Sequence, residues 1–239
     1  VCGRGGREGY MADDKKKVRV WDVPVRLFHW TLVVLIATSY FSGRAGGDWM
    51  KLHFWAGYAI LDLLLFRIAW GFVGSTTARF STFVKGPGAW FSYLGTVLRG
   101  GKTYEAGHNP VGGIMVVVLL LAVLAQAGAG LFSADTDLGT VNGPLATAIA
   151  DRWVDTLTAF HKSWVNVLLL LVALHVLAAV GYLVVKRQNL IGAMITGRKP
   201  VEEVTPPGKP APVLAFASPR LAVSLLIVAA AIVYFVVRP

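Results

Sequence analysis

The chain has one cysteine, Cys2, and no second thiol to pair with it. That count excludes an internal disulfide, a cysteine-ligated iron–sulfur cluster and cofactor attachment through a CxxCH motif. Charge is scarce as well: Asp, Glu, Lys and Arg make up 15% of the 239 residues, whereas 55% are hydrophobic. A soluble domain of this length could not hide so much apolar side chain. The sequence also lacks an internal repeat, a nucleotide-binding glycine motif and a catalytic-triad signature.

What is present is five apolar runs, at residues 24–41, 52–73, 111–132, 163–185 and 221–237. Each can cross a bilayer core of about 30 Å, which takes roughly 20 helical residues. The fold class expected is therefore all-α and integral to the membrane. The net charge of +10 does not indicate nucleic acid, because the basic residues cluster in alternate connections. Arg4, Arg7, Lys15, Lys16, Lys17 and Arg19 precede the first run. Arg79, Lys85, Arg99 and Lys102 follow the second, and Lys186, Arg187, Arg198, Lys199, Lys209 and Arg220 follow the fourth. The positive-inside rule then puts the N-terminus in the cytoplasm and the C-terminus outside. The first run is too long for a signal peptide and no small-residue cleavage site follows it, so it reads as a retained span. The opening VCGRGGREGY, ahead of Met11, has no structural logic of its own.

The connections carry expectations too. In the second, an interfacial helix over residues 89–98 would turn Trp90, Phe91, Tyr93, Leu94 and Leu98 to the membrane. In the third, which also holds Asp135 and Asp137, Leu145, Ile149, Trp153 and Leu157 recur every four residues. They mark a separate short surface helix, a lid beside His161. The Pro-rich TPPGKPAP in the fourth would set the last span apart from the first four.

All five histidines lie in or beside the spans, where ionisable side chains are rare and usually functional. His161 and His175 are 14 residues apart. That is about 1400°, some 40° short of four turns, so both face one side of the helix with a rise of about 21 Å between them. Two neutral imidazoles from facing helices make a six-coordinate haem iron suited to electron transfer. With Cys2 unable to form an attachment motif, such haem is non-covalent. Depth pairs His53 with His161 near the outer surface and His29 with His175 near the inner one. Taken singly, His29 beside Trp30 and His53 beside Trp55 read more readily as interfacial residues than as ligands. His175, within VNVLLLLVALHVLAAVGYLVV, does not.

His108, in GHNPVGG, reads either as loop structure, with Asn109 and Pro110 starting a helix, or as a contact to a haem propionate or a quinone. Arg67, near a span end, reads as a snorkelling side chain, and Asp62 as a residue with a partner in the bundle and a candidate for a proton path. Gly57, Gly128 and Gly130 remove bulk, for helix packing or for a porphyrin. Arg26 on the inner side, and Lys51 and Lys162 on the outer, are candidate propionate partners.

WDVPVRLFHW, KLHFWAGY, RIAWGFVGSTTARF, GHNPVGG, the stretch from GLFSADTD to GPLA, and HVLAAVGYLVVKRQNLIGAMITGRK together resemble the bacterial cytochrome b561 family. The resemblance extends to the b-type cytochrome subunits of nickel-iron hydrogenases and covers about residues 20–199. It implies a four-helix bundle of the bacterial cytoplasmic membrane with two haem b groups. Such a bundle passes electrons between the quinone pool and a periplasmic c-type cytochrome or a redox enzyme such as a hydrogenase. The family's ligand pattern falls on His29, His53, His161 and His175. The expected organisation is a cytoplasmic tail at 1–23, a di-haem bundle at 24–187, a Pro-rich connector at 188–219 and an additional transmembrane helix at 220–239. Two other readings stay open: a self-contained quinol or small-molecule oxidoreductase, and a haem-free transporter or scaffold whose histidines relay protons.

Overall fold

The computed structural model describes residues 17–134 and 141–238. The opening segment with Cys2, and Asp135 and Asp137, lie outside the described residues. In chain order the elements are strand β1 (Lys17–Arg19) and helices α1 (Val23–Ala45), α2 (Met50–Val73), α3 (Pro87–Leu98), α4 (Pro110–Phe132), α5 (Asp151–Val185) and α6 (Leu190–Thr196). Strand β2 (Arg198–Pro200) and helix α7 (Pro219–Val237) complete them, with single helical turns at Phe80–Phe83 and Val201–Val204. Among the described residues, α1, α2, α4, α5 and α7 are long and apolar enough to cross a membrane.

The starts of these helices are written in the sequence. Asp22, Asn109, Asn189 and Ser218 each accept a backbone N–H at a helix start, and Pro24, Pro110 and Pro219 occupy the first turns behind three of them. Gly46 and Gly47 turn α1 into α2 with φ of 64° and 52°, which only glycine adopts without strain.

Helix α1 lies along α2, and α4 along α5, with α2 also touching α4. β1 and β2 pair antiparallel and close the end at which α1 starts and the basic connections lie, the near end. A buried cluster there joins Val20, Trp21, Phe28, Phe66 and Trp70. Asp22, 2% exposed, binds two elements at once: Oδ1 accepts the Val25 amide at 2.7 Å and Oδ2 accepts Trp70 Nε1 at 3.0 Å. His108 sits between Trp21 and Phe83, with ring centres 4.8 and 5.2 Å away.

Three expectations are corrected. The last span is not set apart: α7 packs on α2, and its Ala222 and Ala229 belong to the near-end cluster. Small side chains allow this approach, and the connector is tied down where Ala215 and Ala217 bond to Thr76 and Ser75. Nor is there a separate surface helix through Trp153 and Leu157. Among the described residues of this connection a single short helical turn, Ala146–Ala148, precedes α5, which then runs unbroken for 35 residues. No Pro or Gly occurs from Asp151 to Val180 to stop it. The interfacial helix is present as α3 with Phe91 and Leu98 exposed, but Tyr93 turns inward and its hydroxyl bonds that of Tyr182.

Replacing Asp22 by Ala removes a helix cap and leaves Trp70 Nε1 buried without an acceptor. We expect a loss of about 2–4 kcal/mol, read from unfolding in detergent. Burial, then the positive charges of Arg67 and Lys199 and the nearby His175 and His29, push the His108 imidazole down to about 3 from 6.5. The folded state therefore binds fewer protons at this residue than the unfolded state between those values. Its contribution to stability falls as pH drops through 6.5 toward 3, by up to ~1.4 kcal/mol per pH unit. His108→Gln should flatten the pH dependence of the unfolding free energy below pH 6.5 by that amount, read from unfolding in detergent at a series of pH values.

Candidate functional site

Steps of seven residues organise the interior. Seven helical residues rise about 10.5 Å and fall about 20° short of two turns, so residues seven apart form a ladder on one face. On α5 the ladder is His161, Leu168, His175; on α2 it is His53, Ile60, Arg67. On α1, which runs the other way, it is Gly43, Ile36, His29; on α4 it is Gly130, Val123, Val116. The middle rungs Ile60, Val123 and Leu168 are buried in one cluster with Leu64, and Ile36 packs against it. An apolar plug thus separates two polar levels.

At the far level the rings of His53 and His161 face one another with centres 6.0 Å apart and planes at 87°. At the near level those of His29 and His175 are 6.4 Å apart with planes at 55°. Two imidazoles sharing one metal at about 2 Å per nitrogen place their ring centres roughly 6 Å apart. Among the described residues no group of three or more His, Cys, Asp or Glu could hold a bare ion. A ligand set of only two suits a haem iron, whose four other positions the porphyrin fills.

The far pair is aimed by its neighbours. His53 Nδ1 donates to the Ser39 carbonyl on α1 at 2.8 Å, and His161 Nδ1 donates to the Gln126 carbonyl on α4 at 2.8 Å. A carbonyl can only accept, so Nδ1 carries the proton and Nε2 keeps its lone pair. Four residues beyond each carbonyl stands a glycine. A Cβ on Gly43 would lie 2.7 Å from His53 Nδ1, and one on Gly130 2.9 Å from His161 Cε1. Only glycine lets the ring reach the carbonyl at that point. By contrast, a Cβ on Gly57 or Gly128 would meet nothing within 4 Å.

At the near level His29 Nδ1 is buried with no hydrogen-bond partner. Arg26, expected at a propionate, donates instead to the carbonyls of Met194 and Ile195 in the last turn of α6. Asn109 caps α4 and also donates to the Tyr182 hydroxyl at 3.0 Å. Lys51 and Lys162 are exposed at the far end. Asp62, expected to have a partner, leaves Oδ1 buried without one. Arg67 does not snorkel: it is 3% exposed, with its guanidinium 5.2 and 5.9 Å from the Phe80 and Phe83 rings. The turn at Phe80–Phe83 folds over the end of α2 and shuts the side chain in. Sequence reasoning missed Ser39 and Gly43. A glycine four residues after a polar residue, at the ladder position opposite a histidine, was the available signal.

The profile of the family described as prokaryotic cytochrome b561 matches residues 20–197. A relative from Rhizobium leguminosarum bv. viciae, named probable Ni/Fe-hydrogenase B-type cytochrome subunit, is 26% identical over 224 residues, covering 80% of this chain and 92% of the relative. One of the same name from Azotobacter vinelandii is 29% identical over 230 residues, covering 77% and 92%. A probable Ni/Fe-hydrogenase 1 B-type cytochrome subunit from Escherichia coli K12 is 32% identical over 118 residues, covering 38% and 49%. No solved structure matches the chain. With most of its length inside that profile, and five apolar spans, this multi-pass membrane protein belongs to the prokaryotic cytochrome b561 family.

Proposed function

We propose that the protein is a di-haem electron conduit, with one haem b between His53 and His161 and another between His29 and His175. That it is a membrane cytochrome b of electron transfer follows from its family. The finer reading is carried by the two ring pairs, 6.0 and 6.4 Å between centres, on levels set 14 residues apart along α5. That spacing is a rise of about 21 Å, too far for the two pairs to share one group. The haem supplies reversible one-electron chemistry at iron, which the polypeptide cannot.

The chain's own residues do the rest. Ser39 and Gln126 hold the Nδ1 protons, which leaves Nε2 of His53 and His161 with the lone pair that would hold a haem iron. The plug of Ile60, Val123, Leu64 and Leu168 keeps water from the region between the levels. Lys51 and Lys162 are proposed to meet propionates at the far end, and His108 and Asn109 to meet a quinone or a propionate at the near end. Electrons would pass between the quinone pool and a partner. The relatives' names favour a nickel-iron hydrogenase over a c-type cytochrome. By the placement of basic connections, the near end faces the cytoplasm of a bacterial inner membrane.

Haem content per polypeptide and the reduced-minus-oxidised spectrum test the assignment. His53→Ala and His175→Ala should each lose about one of two haems from the wild-type complement, and different ones. Gly43→Val and Gly130→Val should lose the far haem and keep the near one, because the added side chain pushes the ring off its carbonyl. Wild-type protein free of haem would instead support the proton-relay transporter.

A further inference from the structure

We propose that Arg67 receives a propionate carboxylate of the haem held between His29 and His175; the inference rests on the di-haem reading above. The ladder sets its position. α2 and α5 run in the same direction, and His53 of one faces His161 of the other. Fourteen residues on, α5 presents His175 and α2 presents Arg67. The same angular and axial advance brings Arg67 to the near level on the inward face. His29 arrives there from α1.

The electrostatics ask for an anion. A guanidinium stays protonated even when buried, and taking it out of water is costly unless a carboxylate or phosphate meets it. Arg67 is 3% exposed, and its Nη1 is buried with no hydrogen-bond partner. The nearby carboxylate, Asp22, gives its two oxygens to the Val25 amide and to Trp70 Nε1. Phe80 and Phe83 cover the cation without supplying an acceptor. What remains on offer is a planar fork of donors, the geometry that a carboxylate fills with two parallel bonds. Arg26 is already engaged on α6. Arg79, whose Nε is likewise buried without a partner, lies beyond the end of α2 and off its ladder, so Arg67 is the arginine that the ladder itself brings to the near level. A cation held beside the iron favours its reduced form, so the arginine also sets the near haem's potential above what the same ligands would give alone.

Redox titration of the purified full chain tests this with Arg67→Met and Arg67→Lys, the near centre being isolated in a His53→Ala background. Arg67→Met should lower the near midpoint potential or release the near haem. Arg67→Lys should recover part of the effect, and the far centre should not move. A near centre with full occupancy and unchanged potential in Arg67→Met overturns the proposal. Should that variant fail to fold, the full-length His53→Ala protein, produced under haem limitation, is titrated with haem and with haem dimethyl ester. The ester should bind about tenfold more weakly or worse, as loss of a charge-assisted bond implies. Equal affinities overturn the proposal and leave Arg67 to another anion such as a lipid phosphate. A wild-type chain that binds no haem would fail the di-haem reading itself, before Arg67 is at issue.

Discussion

An imidazole can bind iron only if the nitrogen carrying its lone pair points at the metal, and a free histidine side chain chooses neither tautomer nor direction. At the far level the choice is made by main-chain carbonyls of adjacent helices, Ser39 for His53 and Gln126 for His161. Each carbonyl lies on the helix that packs along the histidine's own helix, α1 on α2 and α4 on α5. The orientation of these rings is therefore a product of helix packing. The glycines at 43 and 130 are its condition, since a side chain there would hold the two helices apart at the point where the ring must reach across. The same arrangement occurs twice, with the carbonyls at 39 and 126 and the glycines at 43 and 130 each 87 positions apart, so it follows from the bundle's geometry rather than from one local motif.

The near level is built differently. Its histidines come from α1 and α5, and the rung that α2 contributes is a cation enclosed by aromatic rings. Phe83 beside it packs on His108, which packs on Trp21, and Trp21 shares a buried cluster with Trp70, whose indole N–H the Asp22 carboxylate holds. A buried positive charge at the near level, with none at the far level among the described residues, would give the two proposed centres different electrostatic surroundings. That is the means by which a polypeptide separates two potentials without changing chemistry at the iron. The apolar rungs between them keep both in low dielectric, where such a charge acts strongly.

Much of this was legible in the sequence. The spans follow from apolar runs bounded by Asp22, Asn109 and Ser218 with their prolines, and the meeting of His29 with His175 and of His53 with His161 follows from helical period and depth. Asp151 to Val185 misled because the four-residue stripe through Trp153 belongs to the same helix as His161, and periodicity alone does not reveal where a helix leaves the membrane. Arg67 misled because its place near a span end is that of a snorkelling residue. Only the turn at Phe80–Phe83, folded back by tertiary contacts, encloses it. The connector TPPGKPAP correctly reads as non-helical, yet that says nothing of where the following helix docks. Small residues Ala222 and Ala229 on α7 were the better guide.

The central claim is that two irons are each held by two imidazoles. Electron paramagnetic resonance of the oxidised, purified chain addresses it directly. Two low-spin ferric signals are predicted, the more anisotropic from the far pair, whose ring planes stand at 87° against 55° at the near pair and so leave the iron orbitals closer to degenerate. A single low-spin signal, or high-spin iron with one axial ligand, would contradict the account.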